Sequence, residues 1–153
     1  MTRCLVGIGS NMGDSPALVQ QAMRDCAALP QTRELGRSSL WGSTPVDAIG
    51  PDYVNAVIAL DTALGPWNLL KALQNLEHTA GRRRPYHHAP RTLDLDLLWL
   101  DGVCWKSQEL TLPHPRMHQR AFVLLPLAEV APDLVDAQQL GYVQDQRVWR
   151  LPD

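Results

Sequence analysis

Cysteine, lysine and phenylalanine are all scarce in this chain. The three cysteines, Cys4, Cys26 and Cys104, are an odd number with no C-x-x-C pair. That argues against a disulfide framework or a structural zinc site and makes the cytoplasm the expected compartment. No apolar run approaches the roughly 18 residues of a spanning helix. The apolar stretch after Met1 is too short for a signal peptide, so no membrane partner is expected. A net charge of −2 argues against bulk nucleic-acid binding. There is no G-x-x-x-x-G-K-S/T loop and no H-E-x-x-H pair. Gly7-Ile8-Gly9-Ser10-Asn11-Met12-Gly13 misses the G-x-G-x-x-G spacing, so P-loop, zincin and Rossmann readings all fail.

What is present suits one globular domain, 1–153. Hydrophobic residues make up 45% and charged residues 20% of 153 positions, enough for a sizeable core. Residues 3–9 read as a strand whose Gly7 and Gly9 admit close approach of a backbone or ligand. Ser15-Pro16 reads as an N-cap and N1 pair, opening a helix to about Leu29. Residues 32–41 read as a second strand, 43–52 as a breaker-rich loop, and 53–60 as a third strand. Pro66 starts a helix with Leu69, Leu73, Leu76 and Ala80 as its buried stripe and Gly81 at C′. Thr92 to Leu100 reads as a strand, with an Asp101-Gly102 turn and a return strand near 103–106. A helix is expected from Ala121 to Ala128. The tail beyond about 135 is expected to be weakly structured, with one short hairpin at most. The five tryptophans read as packing residues. The order predicts an α+β fold: a ferredoxin-like core with additional strands and helices, its antiparallel sheet covered by helices.

Two features carry chemistry. Lys71 and Lys106 are the only lysines, so 12 of the 14 basic residues are Arg. Arg82, Arg83, Arg84 and Arg91 fall within one ten-residue stretch. Arg matches phosphate oxygens with a planar fork of donors, although a solvated helix C-terminus is an equally good reading of consecutive Arg. The stretch runs into Arg91-Thr92-Leu93-Asp94-Leu95-Asp96-Leu97. On a strand, the leucines point to the core and Asp94 and Asp96 share the other face, about 6.6 Å apart. Paired carboxylates beside guanidiniums suit Mg²⁺ on a polyphosphate; taken alone, an Asp-x-Asp is also an ordinary solvated strand face. Gln74 and Glu77, at i and i+3, lie off the Leu stripe.

The combination resembles the 6-hydroxymethyl-7,8-dihydropterin pyrophosphokinase family. The resemblance rests on Gly7-x-Gly9-Ser10-Asn11-x-Gly13-Asp14, Thr44-Pro45-Val46, Tyr53-x-Asn55, Gln74-x-x-Glu77, Gly81-Arg82-x-Arg84 and Pro90-Arg91-Thr92-Leu93-Asp94-Leu95-Asp96. It continues through Leu112-Pro113-His114-Pro115-Arg116-Met117-His118-x-Arg120-Ala121-Phe122, and covers about residues 4–135. It implies transfer of pyrophosphate from ATP to the hydroxymethyl group of the dihydropterin, with AMP released. It implies Asp94 and Asp96 as ligands of two Mg²⁺ ions, with Arg82 and Arg91 beside them in catalysis. It implies Gln74, Glu77, Arg82, Arg84, Arg91, His114 and Arg120 at ATP, and Thr44, Pro45, Val46, Tyr53, Asn55 and Phe122 at the pterin. Partners are therefore ATP and the dihydropterin, without nucleic acid, and the chain is expected to be a monomer. Ala89 stands where the family usually has Gly. Two other readings are a ferredoxin-like ligand- or RNA-binding module without catalysis, and a Mg²⁺-dependent nuclease or nucleotidyltransferase using Asp94 and Asp96. The first lacks a run of basic and aromatic residues for RNA; the second has no use for Asn55 and Phe122.

Overall fold

The computed structural model describes residues 1–45, 50–82 and 93–152, with Arg82 described by its backbone alone. Val46, Arg84, Arg91 and the side chain of Arg82 lie outside the described residues, as does most of the 82–91 loop.

Strand β1 (Thr2–Ser10) leads to α1 (Ser15–Ala27), β2 (Thr32–Arg37), β3 (Trp41–Ser43) and β4 (Tyr53–Thr62). Helix α2 (Pro66–Arg82) and β5 (Asp94–Leu100) complete a β-α-β-β-α-β core in which β2 and β3 together fill one strand position. Its sheet runs β5-β1-β4, with β2 and β3 sharing the far side of β4 and every pair antiparallel. This is the ferredoxin-like order that the sequence predicts.

Alternation along β1 sorts its side chains between two cores. Cys4, Val6 and Ile8 pack with α1 and α2 through Val19, Met23, Leu69 and Leu73. Leu5 joins Val57, Ala59 and Leu98 on the opposite face, under α3 (Ala121–Val130) through Leu124 and Leu127. Both faces of the sheet are thus covered. Arg3 ties the edges together, donating to Asp101 and, in two bonds of 2.8 and 2.9 Å, to Asp133.

Several local expectations are corrected. The single strand expected over 32–41 splits in two, because Ser38 replaces part of the ladder with its side chain. Its Oγ accepts from the Val57 N–H at 2.9 Å while its own N–H donates to the Val57 carbonyl, a competition typical of serine. The cap of α1 is Asp14, which accepts from the Ala17 N–H. The Ser15 hydroxyl is engaged elsewhere, on the Met12 carbonyl. Gly81 lies inside α2, which continues to Arg82.

The return strand near 103–106 does not pair with β5. The outer edge of β5 is already taken: Glu77 accepts from the Leu95 N–H, and the His114 N–H donates to the Leu98 carbonyl. Strand β6 (Trp105–Lys106) pairs instead with β7 (Thr111–Leu112). The tail is not weakly structured. After a 3-10 turn at Pro132–Leu134 comes α4 (Ala137–Tyr142), capped by Asp136 and Gln139 in a reciprocal box, and then β8 (Val148–Arg150), which joins the main sheet beside β3. Trp67 and Trp105 are exposed, not packed; Lys71 lies over the Trp67 ring.

Candidate active site

A cavity of about 680 Å³ opens on the α3 face of the sheet. Its floor is set by strand register. Gly9 pairs with Asn55 on β4 and with Asp94 on β5; Gly7 pairs with Val57 and Asp96. Directly paired residues point the same way. Asn55, Gly9 and Asp94 therefore form one row across three strands, roughly 10 Å from end to end at the usual strand spacing. The middle of the row has no side chain. A Cβ at Gly9 would sit 3.2 Å from the Asn55 Nδ2, so this glycine keeps the floor open.

Asn55 is 5% exposed and its Oδ1 accepts from the Ser43 hydroxyl at 2.7 Å. That bond fixes the carboxamide and turns its Nδ2 donor toward the glycine floor. Thr44, Pro45 and Tyr53 form the rim beside it. Above the floor, α3 and the turn before it contribute Phe122, Arg116 and Arg120; the Arg120 guanidinium lies 5.4 Å from the Phe122 ring centre.

At the other end of the row, Asp94 and Asp96 are exposed on one face of β5 while Leu95 and Leu97 are buried. The expected alternation holds, and both acids line the cavity. Glu77 lies behind them. Its Oε2 accepts from the Leu95 N–H at 2.8 Å, between the two acids in sequence. Its carboxylate thus braces the acid-bearing edge strand. Gln74 is exposed on α2, one turn earlier, and is not part of the cavity wall.

His114 stands beside the acids without lining the cavity. Its backbone N–H holds it to β5 through the Leu98 carbonyl, and its Nδ1 accepts from the Arg116 N–H at 3.2 Å. Burial pushes its pKa below the ordinary histidine value; Asp96 pulls it up, and Arg120 and Arg116 push it down. A neutral ring accepting at Nδ1 carries its proton on Nε2, which makes Nε2 a donor.

The fold thus brings Thr44, Pro45, Tyr53, Asn55, Asp94, Asp96, Arg120 and Phe122 to one cavity. It also places there residues that the sequence reading did not assign to a site: Ser43, Arg116, Gln119, Val123 and, from the tail, Gln146, Arg147 and Val148. Arg116 had a signal, lying four residues before Arg120 in the same motif. The tail residues had none.

A family model described as 7,8-dihydro-6-hydroxymethylpterin-pyrophosphokinase matches residues 5–132. A Methylorubrum extorquens protein named 2-amino-4-hydroxy-6-hydroxymethyldihydropteridine pyrophosphokinase is 41% identical over 140 residues, 88% of this chain and 86% of its own. A Pseudomonas aeruginosa protein of the same name is 44% identical over 133 residues, 86% of this chain and 82% of its own. Among solved structures, a Plasmodium falciparum HPPK-DHPS superposes with a TM-score of 0.64 at 11% identity, over 87% of this chain and 40% of that one. That likeness is one of fold.

Proposed function

The chain belongs to the 7,8-dihydro-6-hydroxymethylpterin-pyrophosphokinase family, and on that premise we propose that it moves the β,γ-pyrophosphoryl group of ATP onto 6-hydroxymethyl-7,8-dihydropterin, a step of folate biosynthesis. The hydroxymethyl oxygen bonds to the β-phosphorus. The bond from that phosphorus to the bridging oxygen breaks, AMP leaves with the oxygen and its electron pair, and the hydroxyl proton passes to solvent.

The observation that carries this reading is the row Asn55–Gly9–Asp94. It sets an amide donor, a bare floor and a carboxylate in line, a match for a flat heterocycle with its hydroxymethyl group toward the acids. Phe122 covers the ring from above, and the buried carboxamide of Asn55 supplies directional hydrogen bonding. Thr44, Pro45 and Tyr53 complete this end, and the family resemblance adds Val46.

Among the described residues that line the cavity, the metal-ligating types at the other end are two carboxylates, with no histidine or cysteine. That fits Mg²⁺, which takes one or two carboxylates and leaves its remaining positions to phosphate and water. Asp94 and Asp96 would hold two such ions, which when bound neutralise triphosphate charge. Arg120 and His114 Nε2 face the phosphates as donors; the family resemblance adds Arg82, at the end of α2, with Arg84 and Arg91. Gln74 and Glu77 border the nucleotide, and Glu77 also fixes the backbone between the acids. Catalysis on this account is in-line positioning and charge neutralisation, with no side-chain base required. A monomer acting in the cytoplasm is part of the same proposal. Among the described residues no helix is long and apolar enough to cross a membrane.

Two variants test the division of labour. Asp96→Ala is expected to cut single-turnover rate by at least 100-fold, because a metal ligand is lost, with pterin affinity little changed. Phe122→Ala is expected to weaken pterin binding by tenfold or more and ATP binding by less than twofold. Equal losses of both ligands in either variant would overturn the assignment.

A further inference from the structure

The family match ends at residue 132, yet the cavity does not. Gln146, Arg147 and Val148 form part of its wall. The same tail segment grips both halves of the pterin end.

On one side, β8 pairs with β3 in the register Val148 to Ser43, Gly42 to Trp149 and Trp41 to Arg150. The Leu151 N–H adds a bond of 2.9 Å to the Leu40 carbonyl. Trp149 lies flat on Gly42, where any Cβ would fall within the indole. This fixes Ser43, the residue that orients Asn55, and the rim that follows it.

On the other side, Gln146 closes the start of α3. Arg120 is the N-cap of that helix and makes no side-chain cap bond. The cap comes instead from the tail: Gln146 Oε1 accepts from the Ala121 N–H at 2.8 Å, and its Nε2 donates to the Gln119 carbonyl at 2.9 Å. Ala121 separates Arg120 from Phe122. A helix start without its cap frays, and fraying here would loosen both residues that roof the cavity.

We propose that segment 146–150 is a clamp that builds the pterin subsite, with Gln146 a positioning residue acting through Arg120 and Phe122. The inference rests on the pyrophosphokinase reading and extends it to a part of the chain that the family match does not reach. The clamp joins the Ser43–Asn55 side to the Phe122 side, so pterin binding feels its loss more than nucleotide binding does.

The test compares Gln146→Ala with Gln139→Ala in the full chain. Each removes a side-chain acceptor from one backbone N–H, and Gln146→Ala also removes the Nε2 donor to Gln119; Gln139 accepts from the Asp136 N–H at the start of α4, which does not line the cavity. Pterin affinity is measured by titration calorimetry with α,β-methylene-ATP present, beside steady-state kinetics. Gln146→Ala is expected to raise the pterin Kd and KM about tenfold and to change the ATP KM by less than threefold. Gln146→Glu, which keeps the acceptor for Ala121, is expected to recover part of that loss. Gln139→Ala is expected to stay within twofold of wild type. Gly42→Ala, which displaces Trp149 from the other side of the clamp, is expected to repeat the Gln146→Ala pattern. Pterin binding by Gln146→Ala equal to that of an active wild type, or an equal loss in Gln139→Ala, would overturn the clamp alone. A wild type that neither binds the pterin nor makes AMP would overturn the pyrophosphokinase reading and the clamp with it.

Discussion

Replacing Gly9 by Ala separates stability from ligand binding. Gly9 has ordinary strand backbone, so the added methyl carries no conformational strain. A glycine in a strand interior costs about 0.5–1 kcal/mol relative to alanine, and the substitution recovers it. Against this, the new Cβ would lie 3.2 Å from the Asn55 Nδ2. Asn55 is buried and held by the Ser43 hydroxyl at 2.7 Å. It yields by a few tenths of an ångström only by stretching that bond, a loss on the order of 0.5–1 kcal/mol. The two effects nearly cancel, and the folded protein is expected to be as stable as wild type within about 0.5 kcal/mol. Ligand binding has no such compensation. The methyl stands on the floor where the ring lies, and the displaced carboxamide loses one or two hydrogen bonds of about 0.5–1.5 kcal/mol each. The sum, about 0.5–3 kcal/mol, predicts a loss of roughly 2- to 150-fold in pterin affinity, with ATP affinity unchanged. Thermal melting and calorimetry with α,β-methylene-ATP present check both halves. Gly36→Ala, where a Cβ would meet nothing within 4 Å, is the control. Unchanged pterin affinity in a stable Gly9→Ala protein would refute the glycine floor.

Two further predictions concern the frame around the site. Glu77→Ala leaves the Leu95 N–H on the edge strand without its carboxylate acceptor. It is expected to lower unfolding free energy by about 1.5–3 kcal/mol in urea and to reduce turnover, because the acid-bearing strand is loosened; Glu77→Gln is expected to retain most of the stability. The thiols give a pH signature. Burial raises Cys4 and Cys26 from 9.0 to about 12, while Cys104 is exposed. Native protein at pH 8 is therefore expected to take up one equivalent of a thiol reagent, and unfolded protein three. Above pH 9 the unfolded chain loses these protons before the folded one does. Stability thus falls as pH rises from about 9 to 12, by roughly 1.4 kcal/mol per pH unit for each thiol. Rapid labelling of all three thiols in the native state would contradict this.

The central sheet was legible because its signals are local. The alternation in Leu93–Asp94–Leu95–Asp96–Leu97 names the inner and outer faces of β5, and the spacing Leu69, Leu73, Ala80 names the buried side of α2. What escaped depends on partners distant in sequence. Nothing near Ser38 announces that its hydroxyl will satisfy Val57 and break a strand in two. Trp105 looked free to return along β5, but Glu77 and His114 had already occupied that edge. The tail was least legible: β8 has three residues, and its place is set by Gly42, a hundred positions earlier. In the candidate site, residue types could be read as acids, cations and a lone phenylalanine. The row that aligns Asn55 with Asp94 comes from strand register, which a single sequence does not display.

The most direct test of the central claim is the identity of the nucleotide product. The wild-type chain is incubated with ATP, Mg²⁺ and 6-hydroxymethyl-7,8-dihydropterin and followed by ³¹P NMR. AMP and a pterin diphosphate are expected in equal amounts, dependent on Mg²⁺ and on the pterin. ADP with a pterin monophosphate, or no nucleotide product from folded protein that binds ATP, would contradict that claim.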